Sequence, residues 1–119
     1  MAERDEMKEL IRKALDEKGE LWVISALVEG SIGYHSPKHA KKLIDAFKRG
    51  EEQDYCERCM ACFDADLIKM LAQDIRSFQT LERTRPEKVT KIQKLVTKIM
   101  DYDEVRQTEI GLLYPTTEL

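Results

Sequence analysis

The sequence predicts an all-α fold, a bundle of four to five helices with one long central helix. Three observations carry the prediction. Apolar residues recur at intervals of three and four along most of the chain, the period of helices buried on one side. The glycines and prolines fall mostly between those stretches, as punctuation. Charged residues make up 36% of the 119 residues and hydrophobic ones 42%, the balance of helices with one apolar stripe and a charged remainder. That length suits a single domain, taken as residues 1–110, with a loose tail over 111–119.

The first segment places Met7, Leu10, Ile11, Ala14 and Leu15 on one helical stripe. Acids crowd its start at Glu3, Asp5 and Glu6, and bases follow at Arg12, Lys13 and Lys18. This is the order a helix dipole favours, and Gly19 can take the left-handed turn past the end. Residues 21–28 are apolar on all sides, which fits a buried helix or a buried strand by period alone. Helix is preferred, because there is no second convincing strand to satisfy the backbone of the first.

Gly30 and Gly33 bracket a tight loop. Ser36 then stands before Pro37 as cap and first helical residue, and Ala40, Leu43, Ile44 and Phe47 repeat on one face until Gly50. Trp22 and Phe47 are expected near the centre. Residues 51–85 contain neither glycine nor proline. Cys56, Cys59, Met60, Phe63, Leu67, Met70, Leu71, Asp74 and Phe78 trace one stripe there, interrupted at Asp74, which a helix of about 26 residues and roughly 39 Å would satisfy. Thr84 and Glu87 have the spacing of a capping box, with Pro86 in the first turn. Val89, Ile92, Val96 and Ile99 form the next apolar face. Past Asp101 that stripe drifts out of phase, so Tyr102–Ile110 reads as a frayed continuation or a separate short helix.

The sharpest local motif is Cys56-Glu57-Arg58-Cys59-Met60-Ala61-Cys62, two overlapping Cys-x2-Cys units, preceded by His35 and His39. Thiolate and imidazole are the ligands zinc prefers, and three cysteines with His35 or His39 would complete a tetrahedral site. The spacing also matches the first three ligands of a bacterial-type iron–sulfur run, but Asp66 and Leu67 stand where a fourth cysteine and a proline belong. Against a metal, Cys56 and Cys59 are in phase with Met60, Phe63 and Leu67, where small buried thiols are ordinary core residues. Cys62 lies off that stripe. The two readings predict different structures. Packed thiols require one helix straight through the motif, whereas a bound metal requires residues 55–63 to leave helical geometry. His35 is expected in the loop and His39 in the first turn of a helix, facing water.

The remaining features exclude more than they assign. The N-terminus has no apolar core of a signal peptide and no apolar run is long enough for a membrane span, so a cytoplasmic protein without membrane association is expected. Three cysteines, an odd number, oppose a disulfide framework. Net charge is −3, which opposes polyanion binding unless bases are gathered. They are gathered in two places, Lys38 to Arg49 and Arg83 to Lys98, but neither pattern offers an exposed aromatic for stacking, which argues against nucleic acid. Residues 51–66 are the acidic counterpart and could face those regions within the bundle or between subunits. No triad, carboxylate pair or two-histidine zinc helix supports catalysis. The function expected is a non-enzymatic protein-interaction or assembly module, with a protein partner or self-association; the alternative is a zinc or iron–sulfur module on the cysteines.

Overall fold

The computed structural model describes residues 2–30, 36–54 and 65–113. Within these, α1 (Ala2–Lys18) ends where its sequence stops supporting it. Gly19 takes φ 91°, its N–H donates to the Leu15 carbonyl at 3.1 Å, and α2 (Glu20–Glu29) begins at once. Only glycine adopts that left-handed angle without strain, so the corner between the two helices is set by one residue.

The short helix α2 is the hub of the bundle. It packs against α1, α3 (Pro37–Lys48), α4 (Leu67–Thr84) and α5 (Pro86–Leu113), and every residue from Trp22 to Leu27 is buried. This explains its lack of amphipathic period, since a helix surrounded on all sides has no solvent face to keep polar. Ser25 is the polar member of that run, and its hydroxyl donates to the Leu21 carbonyl at 2.8 Å. The bundle of five helices is therefore present, while its central helix and its long helix are different elements.

The third helix is entered as its sequence predicts. Ser36 is the N-cap, its Oγ accepting from the His39 backbone N–H at 3.2 Å; Pro37 occupies the first turn, and Gly50 turns the chain at φ 87°. Trp22 locks three helices together. Its ring meets Phe78 of α4 edge-on at 5.0 Å, and its Nε1–H donates to Glu82 Oε2 at 3.0 Å while Lys18 of α1 holds Oε1 at 2.9 Å. Burial raises the Glu82 carboxyl, but these two donors outweigh it and leave the group below its ordinary value.

Three expectations are corrected here. The helix of about 26 residues that would carry the stripe from Cys56 to Phe78 does not run through, which leaves the alternative of a break before it. Strand β1 (Gln53–Asp54) pairs antiparallel with β2 (Ala65–Asp66), and the Leu67 N–H donates to the Glu52 carbonyl at 2.8 Å, so the chain reverses between them. Helix α4 starts at Leu67 because Asp66 caps it, Oδ1 accepting from the Lys69 N–H at 3.2 Å. The Thr84–Glu87 capping box is also absent. Thr84 is the last residue of α4, and its hydroxyl donates back to the Thr80 carbonyl at 2.9 Å, the bond a mid-helix threonine makes. At the other end of the chain, α5 is one helix through Tyr102 to Leu113, three residues into the segment expected as tail.

No helix among the described residues is long and apolar enough to cross a membrane.

Candidate functional site

Cys56, Cys59, Cys62 and His35 lie outside the described residues. What the structure describes is the neck from which the cysteine-bearing segment departs and to which it returns. Residues 54 and 65 are cross-strand partners, so all three cysteines of the chain belong to a stretch whose two ends are neighbours. Helix α1 holds that neck by charge. Arg4 grips Asp66 with two parallel bonds of 2.9 and 3.2 Å and reaches Glu52 at 3.5 Å, while Lys8 meets Glu52 at 2.9 Å.

Asp66 thus serves two ends at once, bridging to α1 and capping α4. The Arg4 hydrogen bonds, against a smaller opposing effect of burial and with help from the Lys69 N–H, hold its carboxyl below the ordinary value. The Lys8 hydrogen bond and the Arg4 charge do the same for Glu52, and the bond to Asp66 raises the Arg4 guanidinium in return. Glu52 and Asp66 therefore face α1, while Glu51 meets Arg49, just past the end of α3, at 3.0 Å. The basic α3 is instead drawn to α2, with Lys41 and Lys48 each 2.6 Å from a Glu20 oxygen.

His39 is in the first turn of α3, as expected, but does not face water: it is half-buried, with Nε2 shielded from solvent. Between His39 and Lys48, where α3 ends and the chain turns toward the neck, lies roughly 14 Å of helix. Among the described residues no group of three or more histidine, cysteine and acidic side chains is assembled to hold a metal ion.

A second feature is the outer face of α5. Val89 and Val96 are buried, with Ile92 and Met100 packed against the core. Leu95 is 57% exposed and Tyr102 63% exposed, and these share a face with Lys88, Lys91 and Lys98. The spacing along that face is three, four, three, four, which keeps one seam in line over the helix. Tyr102 is an aromatic in register with the lysines that the sequence pattern did not reveal. The signal was the drift of the stripe past Asp101: Tyr102 follows the outward seam and not the core.

A third is Asp74, 3% exposed within α4 where its stripe is interrupted. A Cβ on Gly30 would fall 2.5 Å from the Asp74 Cγ and Oδ2, so the end of α2 lies directly against this carboxylate.

No family model, curated protein or solved structure matches the chain.

Proposed function

We propose that the chain is a non-enzymatic assembly module whose interface is the outer face of α5. The observation that carries this is the pair Leu95 and Tyr102, two large apolar side chains more than half exposed, two helical turns apart on a seam that otherwise carries lysines. A single exposed leucine needs no explanation. Two apolar residues at heptad spacing, flanked by charge, are the layout of a helix that meets another helix. The other helices support this role by using their apolar faces inside the bundle.

The test is the size of the particle in extracts of cells that make the protein. The chain should migrate well above its 13.9 kDa mass, and Leu95→Asp with Tyr102→Asp should return it to that mass without loss of helicity. Migration of the unaltered chain as a free monomer, or a complex that survives the double substitution, would refute the assignment.

The neck favours a second reading, a zinc or iron–sulfur module on Cys56, Cys59 and Cys62. Packed thiols need no interruption of the helix, and the β1–β2 pairing interrupts it. Elemental analysis and a visible spectrum of protein purified without air decide it. Stoichiometric zinc or iron, lost on Cys→Ser substitution at the three positions, is the expected result; a metal-free, colourless and folded protein removes this reading.

A further inference from the structure

The lysines of the α5 seam differ from those that tie the bundle together. Lys8, Lys18, Lys41 and Lys48 each lie 2.9 Å or less from a carboxylate oxygen of another element. On the seam, Lys88 comes no nearer than 4.0 Å to Glu29, and no carboxylate among the described residues is within ion-pair reach of Lys91 or Lys98. All three are exposed. The acids of the same helix point elsewhere. At about 100° per residue, Glu87 lies roughly 60° and Asp101 roughly 100° around the helix from the centre of the seam. Asp103 and Glu104 are turned toward α3, where they line a cleft with Lys38, Lys41 and Lys42. A chain of net charge −3 thus presents, over the described stretch from Lys88 to Tyr102, a strip of three cations and two apolar residues with no anion on it.

Resting on the reading of α5 as an interface, we infer that its partner is an acidic amphipathic helix of a different protein. The spacing of the strip fits a second helix, whose own apolar residues one heptad apart cover Leu95 and Tyr102, about 10 Å from each other along the axis. The charge of the strip fixes what flanks those apolar residues. Lysines closed into a contact need carboxylates opposite them, because an ammonium desolvated without a partner opposes binding. A second copy of this chain does not supply them. Laid along the same stretch in either direction, it brings three more lysines and no acid, so like charges face each other.

A nucleic acid or an anionic membrane matches the lysines but not the whole strip. Neither follows one narrow line along a helix. A surface broad enough to extend past the strip meets Glu87 and Asp101 at its edge, whereas a helix covers the seam alone.

The probe is a labelled synthetic peptide of about three heptads, with leucines at the a and d positions and glutamates at the flanking e and g positions. Titrated with the purified full chain, it should show saturable binding by anisotropy, a gain of helicity on mixing, and an affinity that falls with salt. The same peptide with lysine in place of glutamate should not bind. Lys91→Glu with Lys98→Glu should weaken the glutamate peptide on the order of tenfold or more and transfer binding to the lysine peptide. Leu95→Asp should weaken it by a similar factor. Lys13→Glu with Lys69→Glu, exposed lysines of α1 and α4, controls for net charge and should leave binding unchanged. No binding of the glutamate peptide, or binding that the seam variants leave intact, overturns the inference. If it fails while the larger particle in extracts is still lost with Leu95→Asp and Tyr102→Asp, the interface stands and its partner has another chemistry. If that particle survives the double substitution, the reading of α5 as an interface falls. Two further results overturn the inference by naming another occupant. A purified chain that sediments as a dimer broken by Leu95→Asp assigns the seam to a second copy. An oligonucleotide or a phosphatidylserine vesicle that binds more tightly than the peptide, and loses that affinity in Lys91→Glu with Lys98→Glu, assigns it to a polyanion.

Discussion

Substituting alanine for Gly30 tests how the end of α2 is held. The backbone there has φ −55° and ψ 167°, which any residue adopts, so the glycine is not required by conformation. It is required by space. A Cβ would stand 2.5 Å from the Cγ and Oδ2 of Asp74 and 2.6 Å from Oδ1, and the side chain it meets is buried within α4. The carboxylate must retreat by about 1 Å to reach ordinary contact, which for overpacking in a filled interior costs about 1–3 kcal/mol. For a chain of this size that corresponds to a Tm lower by roughly 4–12 °C. The assay is urea unfolding of Gly30→Ala, Asp74→Ala and the double variant. Asp74→Ala is itself destabilising, because it empties a buried polar position, but it removes the group that the new methyl strikes. The cost of Gly30→Ala should therefore fall by about 1 kcal/mol or more in the Asp74→Ala background. Equal costs in both backgrounds, or a Gly30→Ala variant as stable as the unaltered chain, would refute the steric account. Gly19→Ala is the control: nothing lies within 4 Å of its Cβ, but φ is 91°, so its cost of about 1–2 kcal/mol comes from the backbone and is the same with or without Asp74.

Other substitutions and conditions have equally definite outcomes. Asp66→Ala removes the α4 cap and the Arg4 bridge together; it should lower stability by about 1–2 kcal/mol in thermal unfolding, and more than Arg4→Ala, which spares the cap. Trp22→Phe keeps the ring against Phe78 but deletes the donor to Glu82, so a loss of about 1–2 kcal/mol is expected by calorimetry. Glu20, Glu52, Asp66 and Glu82 all hold their carboxyls below ordinary values in the folded state. A depressed folded value contributes stability that is complete above the unfolded value and is lost as pH falls through the folded one. Urea midpoints should accordingly be flat near neutrality and fall once pH drops below about 4. Glu20→Gln should shrink that fall, since it deletes the carboxyl that Lys41 and Lys48 share.

Most of the bundle was legible because its helices obey local rules. The stripe from Met7 to Leu15, the Ser36–Pro37 start and the glycines at 19 and 50 each name their structure within a few residues. The sequence left the cysteine segment open between one continuous helix and a departure from it, because absence of glycine and proline is only permission for a helix. The reversal there is held by backbone bonds of two-residue strands and by Arg4 and Lys8, about sixty and forty-five residues away from their carboxylates in sequence. Such a clamp has no local signature. Asp66, by contrast, stood three residues before Lys69 as an ordinary cap and was obscured by the apparent continuity of the stripe. Of the candidate site, only His39 lies among the described residues, and its half-buried ring followed from packing rather than from its position in the first turn.

The outward seam of α5 was hidden for a different reason. A search for the core favours the apolar period, and Val89, Ile92, Val96 and Met100 answer it; whatever lies off that line registers as drift. Yet the core accounts for only one side of a helix that is 28 residues long. The other side has its own period and its two exposed apolar residues, Leu95 and Tyr102. Substitutions on it should therefore separate folding from association: Leu95→Asp should leave the urea midpoint of the monomer unchanged, while Val96→Ala, one position on and buried, should lower it by about 1–2 kcal/mol. If Leu95→Asp instead destabilised the monomer as much as Val96→Ala does, the seam would belong to the fold, and α5 would offer no free face for a partner.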